Sequence, residues 1–126
     1  MRREPPMAYV TTVIEVGHDA DATLDEGLAL TFGADVPDAL RPFCFIVENA
    51  AMEGDLVAGQ QVLIGDQAWT LTAVGSVARK NLADLGHVTM VFDGKESPRL
   101  PGALHLGGVD ETPALGLGVT VVFGHE

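Results

Sequence analysis

The sequence predicts an all-β fold: a small closed or nearly closed β-barrel of about eight short strands with one or two short helical turns. Three observations carry that expectation. Apolar residues come in short bursts bounded by Gly, Asp and Pro, at spacings of roughly ten to fifteen residues. The 15 Gly and 7 Pro are spread through the chain, so they read as turns between elements, not as a disordered tract. Helical periodicity is thin throughout.

Taken in order, Tyr9 to Val16 is rich in Val, Thr and Ile, all good strand formers. Leu28 to Phe32 follows and stops at Gly33. Phe43 to Val47 is a compact apolar run. Gln61 to Ile64 and Trp69 to Val74 flank Gly65-Asp66-Gln67, a natural hairpin connection. His87 to Phe92 ends at Asp93-Gly94, a strong turn signal. Ala103 to Leu106 and Val119 to Phe123 supply the last two strands. One helical turn is expected over Asp38 to Arg41, between Pro37 and Pro42. A second helical segment, about two turns over Arg79 to Leu85, is closed by Gly86 where a left-handed cap is common.

The chain has 126 residues, enough for one domain, and 47% of them are apolar. Residues 8–126 are expected to form that domain. Residues 1–7, charged and proline-rich, are expected to be a disordered lead, with either Met1 or Met7 as the start. Seven Lys and Arg against 18 Asp and Glu leave a formal charge of -11. That balance argues against nucleic-acid partners, which require clustered cations to displace counterions from phosphates. It argues equally against an anionic membrane surface. Pro5 and Pro6 stand where a signal peptide would need its apolar segment, and no apolar run approaches a membrane span, so a cytoplasmic location is expected.

Most chemical motifs fail on inspection. Asp19, Asp21, Thr23 and Asp25 alternate oxygen side chains as a calcium loop would. An EF-hand needs Gly at the sixth position and a carboxylate at the twelfth, and Leu24 and Leu30 stand there, so an acidic solvated loop is expected. No glycine-rich loop precedes Lys and Ser or Thr, and Gly116-Leu117-Gly118 leads into a strand, which excludes the common nucleotide cradles. Gly75-Ser76-Val77 lacks the nucleophile elbow, leaving Ser76 a turn residue. Cys44, the single cysteine, sits among Phe43, Phe45, Ile46 and Val47 and reads as an inert core thiol.

Four histidines remain, none paired at a zinc-site spacing, so neither a metal nor a cofactor is expected. His125 is penultimate and expected to be mobile. His18 lies in the acidic loop, and His105 is expected on the opposite strand face from Leu104 and Leu106. His87 follows Gly86 at the start of a strand. It reads either as a satisfied structural imidazole or as a nucleophile or base presented at a rim.

The block Leu71-Thr-Ala-Val-Gly-Ser-Val-Ala78, then Asn81-Leu82, Leu85-Gly-His-Val-Thr89 and Phe92-Asp-Gly94 resembles one protein family. That family is the glucitol/sorbitol-specific IIA component of the bacterial sugar phosphotransferase system. Leu30-Thr31-Phe32, Cys44-Phe45-Ile46 and Pro101-Gly102 with His105 follow the same order, so the resemblance runs from about Ala8 to Phe123. It implies a small cytoplasmic β-barrel that takes a phosphoryl group on a histidine from HPr and passes it to a IIB partner.

The family's acceptor histidine directly follows the Cys-Phe-Ile segment, and here that position is Val47. Three readings stand open. The acceptor has moved to His87, the chain is an IIA-like binding or regulatory module without relay chemistry, or it is an unrelated binding barrel. A relay predicts an exposed imidazole nitrogen, with another group holding the ring's tautomer. A binding module predicts a buried His87 with both nitrogens occupied.

Overall fold

The computed structural model describes residues 7–98 and 100–125. Eight strands close into a barrel: β1 (Met7–Val16), β2 (Leu28–Phe32), β3 (Cys44–Val47), β4 (Gln61–Ile64), β5 (Gln67–Val74), β6 (Val88–Val91), β7 (Ala103–Gly107) and β8 (Thr120–His125). Around the barrel the order is β1-β3-β2-β6-β7-β5-β4-β8, with β8 returning to β1. Two pairs, β2 with β3 and β6 with β7, are parallel, and the other six are antiparallel. The barrel expected from the turn spacing is therefore present, as a mixed sheet with every strand paired on both sides.

Strand alternation builds the core. Tyr9, Thr11 and Val13 are buried while Val10 and Ile14 are exposed on the opposite face of β1. Inward side chains of every strand, including Phe45, Val62, Trp69, Leu71, Leu104 and Phe123, form one apolar cluster. Each fully buried aliphatic or aromatic side chain stabilises the fold by about 1.5–3 kcal/mol relative to exposure. A second, smaller cluster of Phe32, Val36, Cys44 and Ile46 lies on the outer face of β2 and β3. Residues between Phe32 and Cys44 cover it, with Val36 packed in and the 3-10 turn Arg41–Phe43 leading into β3.

Two helices occupy opposite ends of the barrel. The first, α1 (Ala20–Asp25), joins the end of β1 to the start of β2 and buries Ala20 and Leu24. The second, α2 (Ala78–Leu85), joins β5 to β6 at the end where β2 finishes, and buries Ala78 and Leu82 at i, i+4 spacing. Gly86 ends α2 in the left-handed conformation, φ 67°, as the sequence leads one to expect.

Several boundaries differ from expectation. The stretch from Asp19 to Asp25 is not a loop: Ala20 and Leu24 share one face, and that pair outweighs the poor helix propensity of its aspartates. The turn expected over Asp38 to Arg41 is present, with Leu40 and Arg41 N–H both donating to Pro37 O, and the 3-10 turn Arg41–Phe43 follows it, with Pro42 in its first turn. The β4–β5 hairpin is tighter than predicted: Ile64 pairs with Gln67 across Gly65-Asp66, and Gly65 takes φ 57°. Strand β8 runs on through His125, which pairs with Met7 and with Gln61 and so is not a loose end. Met7 is the first residue of β1, and the rest of the expected lead, 1–6, lies outside the described residues. No helix among the described residues is long and apolar enough to cross a membrane.

Candidate functional site

His87 stands in the one-residue gap between the Gly86 cap of α2 and the first residue of β6. Strand pairing decides its neighbours. In the β2–β6 ladder Leu30 faces Thr89 and Thr31 faces Val88, so one further step brings Phe32 opposite His87. The two rings stack with centroids 4.5 Å apart and planes inclined by 27°. The side chain is half-buried.

One ring nitrogen is committed. His87 Nδ1 lies 2.9 Å from the backbone oxygen of Thr31. A carbonyl oxygen only accepts, so in the neutral ring Nδ1 carries the proton and Nε2 carries the lone pair. Among the described residues Nε2 has no hydrogen-bond partner and no ion pair. The polar atoms around the ring are otherwise satisfied. Thr31 Oγ1 donates to Gly86 O at 2.9 Å, Gly33 N–H to Leu85 O at 2.8 Å, and His87 N–H to Asn81 O at 3.2 Å. The carbonyls at the negative end of α2 are thus occupied by donors, which reduces their repulsion of any anion brought to the ring.

Val47 is near this site but does not share its face. It is fully buried in the main core cluster and pairs with Val13 on β1. A Cβ built on Gly86 would lie 3.4 Å from Val47 Cγ2, so the two segments meet across Gly33. The His87 ring instead lies with Phe32, whose partner across the sheet is Ile46, on the outer face. Val47 and His87 therefore point to opposite sides of one sheet, the alternation that successive strand residues impose.

The other histidines go elsewhere. His18 is highly exposed and its Nε2 lies 3.3 Å from the neighbouring Asp19 carboxylate. His105 is on the opposite face from the core residues Leu104 and Leu106, as expected, yet it is fully buried, with Nδ1 2.7 Å from Asp93 Oδ1. His125 has its Nδ1 buried without a hydrogen-bond partner. The Cys44 thiol lies in the outer cluster and burial raises its pKa, which disfavours the reactive thiolate. Among the described residues no three His, Cys, Asp or Glu side chains come together as a metal site.

Thr31 and Phe32 are the residues that motif reasoning could not assign. They gain their roles from the β2–β6 pairing, which joins positions more than fifty residues apart in sequence; the Thr31 to Gly86 bond spans 55. No short-range pattern signals such a contact.

Comparison with known proteins agrees with this architecture. The family model of the PTS system glucitol/sorbitol-specific IIA component matches residues 8–122. The glucitol/sorbitol-specific EIIA components of Shigella flexneri and Escherichia coli K12 are each 39% identical over 100 residues, 79% of this chain and 81% of theirs. The crystal structure of a PTS system IIA component from Enterococcus faecalis V583 superposes with a TM-score of 0.76 at 26% identity, covering 91% of this chain and 98% of that one. A barrel with these strand pairings, matched over most of its length, belongs to the glucitol/sorbitol-specific IIA component family of the sugar phosphotransferase system.

Proposed function

We propose that this chain is a phosphoryl carrier of a polyol uptake system in the cytoplasm, taking the phosphoryl group from HPr on Nε2 of His87 and passing it to a IIB partner. The observation that carries this reading is the Nδ1–H bond to Thr31 O, which leaves Nε2 as the nucleophilic nitrogen of a half-buried ring. In the transfer, the Nε2–P bond forms as the N–P bond on the donor's histidine breaks, and the donor imidazole leaves with that bond's electron pair. The Nδ1 proton stays with Thr31 O throughout. A phosphorylated ring that keeps this proton is cationic and a good leaving group, which suits onward transfer to a IIB thiolate.

A second reading, an IIA-like module without relay chemistry, is favoured by the isopropyl side chain of Val47 at the family's acceptor position, sealed in the core. One experiment separates the two. The purified protein is incubated with phosphoenolpyruvate, enzyme I and HPr, and its intact mass is measured before and after brief acid treatment. The relay reading expects one acid-labile phosphoryl group per chain, absent from His87→Gln. An adduct that persists in His87→Gln excludes His87 as acceptor. No adduct under conditions that load an ordinary member of the family excludes the relay.

A further inference from the structure

We infer that Thr31 is the positioning residue of this site: its hydroxyl, acting from inside the barrel, holds the Gly86–His87 turn so that the imidazole keeps one tautomer and one orientation. This rests on His87 as the reacting group, but the geometry behind it is independent of phosphoryl transfer. Thr31 is fully buried and is one of few polar side chains within the barrel wall. A buried hydroxyl without a partner would be costly, and Gly86 O, 2.9 Å away, is the acceptor that satisfies it.

The same residue binds the turn twice, from opposite faces of β2. Its side chain on the inner face donates to Gly86 O, and its backbone oxygen accepts Nδ1–H of His87 from the outer side. Between these contacts lies a single peptide link, Gly86–His87, which has left the α2 helix and has not yet entered β6. Without the hydroxyl, the Gly86 carbonyl is left buried without a donor and the turn is free to rotate. Rotation breaks the Nδ1–H bond, and the ring then divides between its two tautomers, only one of which offers Nε2 as a nucleophile. Phe32 cannot compensate, because stacking fixes the plane of a ring and not which nitrogen is protonated.

The test uses Thr31→Val, which keeps shape and removes the donor, with Thr31→Ser, which restores it. Long-range proton–nitrogen spectra of the imidazoles read the His87 tautomer, and quench-flow mixing with phospho-HPr reads the transfer rate. Wild type and Thr31→Ser are expected to show His87 as the Nδ1–H tautomer. Thr31→Val is expected to show mixed tautomers and to transfer roughly tenfold more slowly, the loss of about one buried hydrogen bond that orients a reacting group. A Thr31→Val protein with the wild-type tautomer and rate overturns the inference. If Thr31→Val does not fold, the wild type still decides: the Thr31 hydroxyl proton must exchange slowly enough to give a resonance with a cross-peak to the His87 amide, and its absence overturns the inference. If the wild type takes up no phosphoryl group while Thr31→Val still loses the tautomer preference, the relay is excluded and the Thr31 role stands, so the two failures are distinguishable.

Discussion

His105 and Asp93 show how a single contact secures a segment that packing alone would leave loose. Asp93 opens the turn after β6, and its carboxylate accepts from His105 Nδ1 at 2.7 Å and from Lys95 N–H at 3.0 Å. Burial pushes its pKa up, but the hydrogen bonds from His105 and Lys95, together with the positive charge of both residues, outweigh this and hold it below the ordinary carboxylate value. A depressed folded pKa gives stability that is present above the unfolded value of about 4 and is lost as pH falls through the folded value. Asp93→Asn keeps the shape and one acceptor oxygen but loses the charge. Urea unfolding at pH 7 is expected to report a loss of about 1 kcal/mol. As the pH falls below about 4 the wild type is expected to lose this increment while the variant has none to lose.

At the scale of elements, the end of α2 packs closely against the exit of β2. Gly86 has φ 67°, and a Cβ there would lie 3.0 Å from Gly33 N and 3.2 Å from Gly33 Cα. Both neighbours are backbone atoms of β2's exit, so neither can swing away as a flexible side chain would. Gly86→Ala is therefore expected to cost more than the roughly 1 kcal/mol of a left-handed alanine alone, measurable as a lower urea midpoint at unchanged m-value. The same variant is expected to shift the His87 ring resonances, because the strain falls on the residue before it. The exposed Arg41–Glu15 pair, with Arg41 Nη1 2.8 Å from both carboxylate oxygens, joins the 3-10 turn to β1 at the other end of the barrel. Its side chains are solvated, so its contribution to stability is small and weakens further with added salt.

For the whole molecule, closure is what makes a core of this size sufficient. β8 pairs with both β1 and β4, so the first and last strands of the chain seal the barrel together. Removing residues 119–126 deletes the buried Val121 and Phe123 and leaves two unpaired edges. Loss of a core phenylalanine alone costs about 3–5 kcal/mol, a large part of the 5–15 kcal/mol by which domains of this kind are stable. The truncated chain is expected to lose its cooperative thermal transition and to associate through its exposed edges, seen as early-eluting material in size-exclusion chromatography. The surplus of negative charge across the surface, -11 in total, opposes such association in the intact protein.

Much of this barrel was legible in residue order. The strand bursts, the Gly65-Asp66 hairpin and the Gly86 cap are local signals, because turn chemistry and side-chain alternation act within a few residues. The family was legible as well, since the block from Leu71 to Gly94 keeps its pattern of residues. Helix α1 was hidden because its aspartates spoke louder than the buried Ala20 and Leu24 that hold it. Which strands neighbour one another, and hence that Thr31 and Phe32 meet His87 while Val47 turns inward, was set only when the barrel closed. Those contacts join distant segments, and their energies come from burial and pairing that exist in no fragment of the chain taken alone.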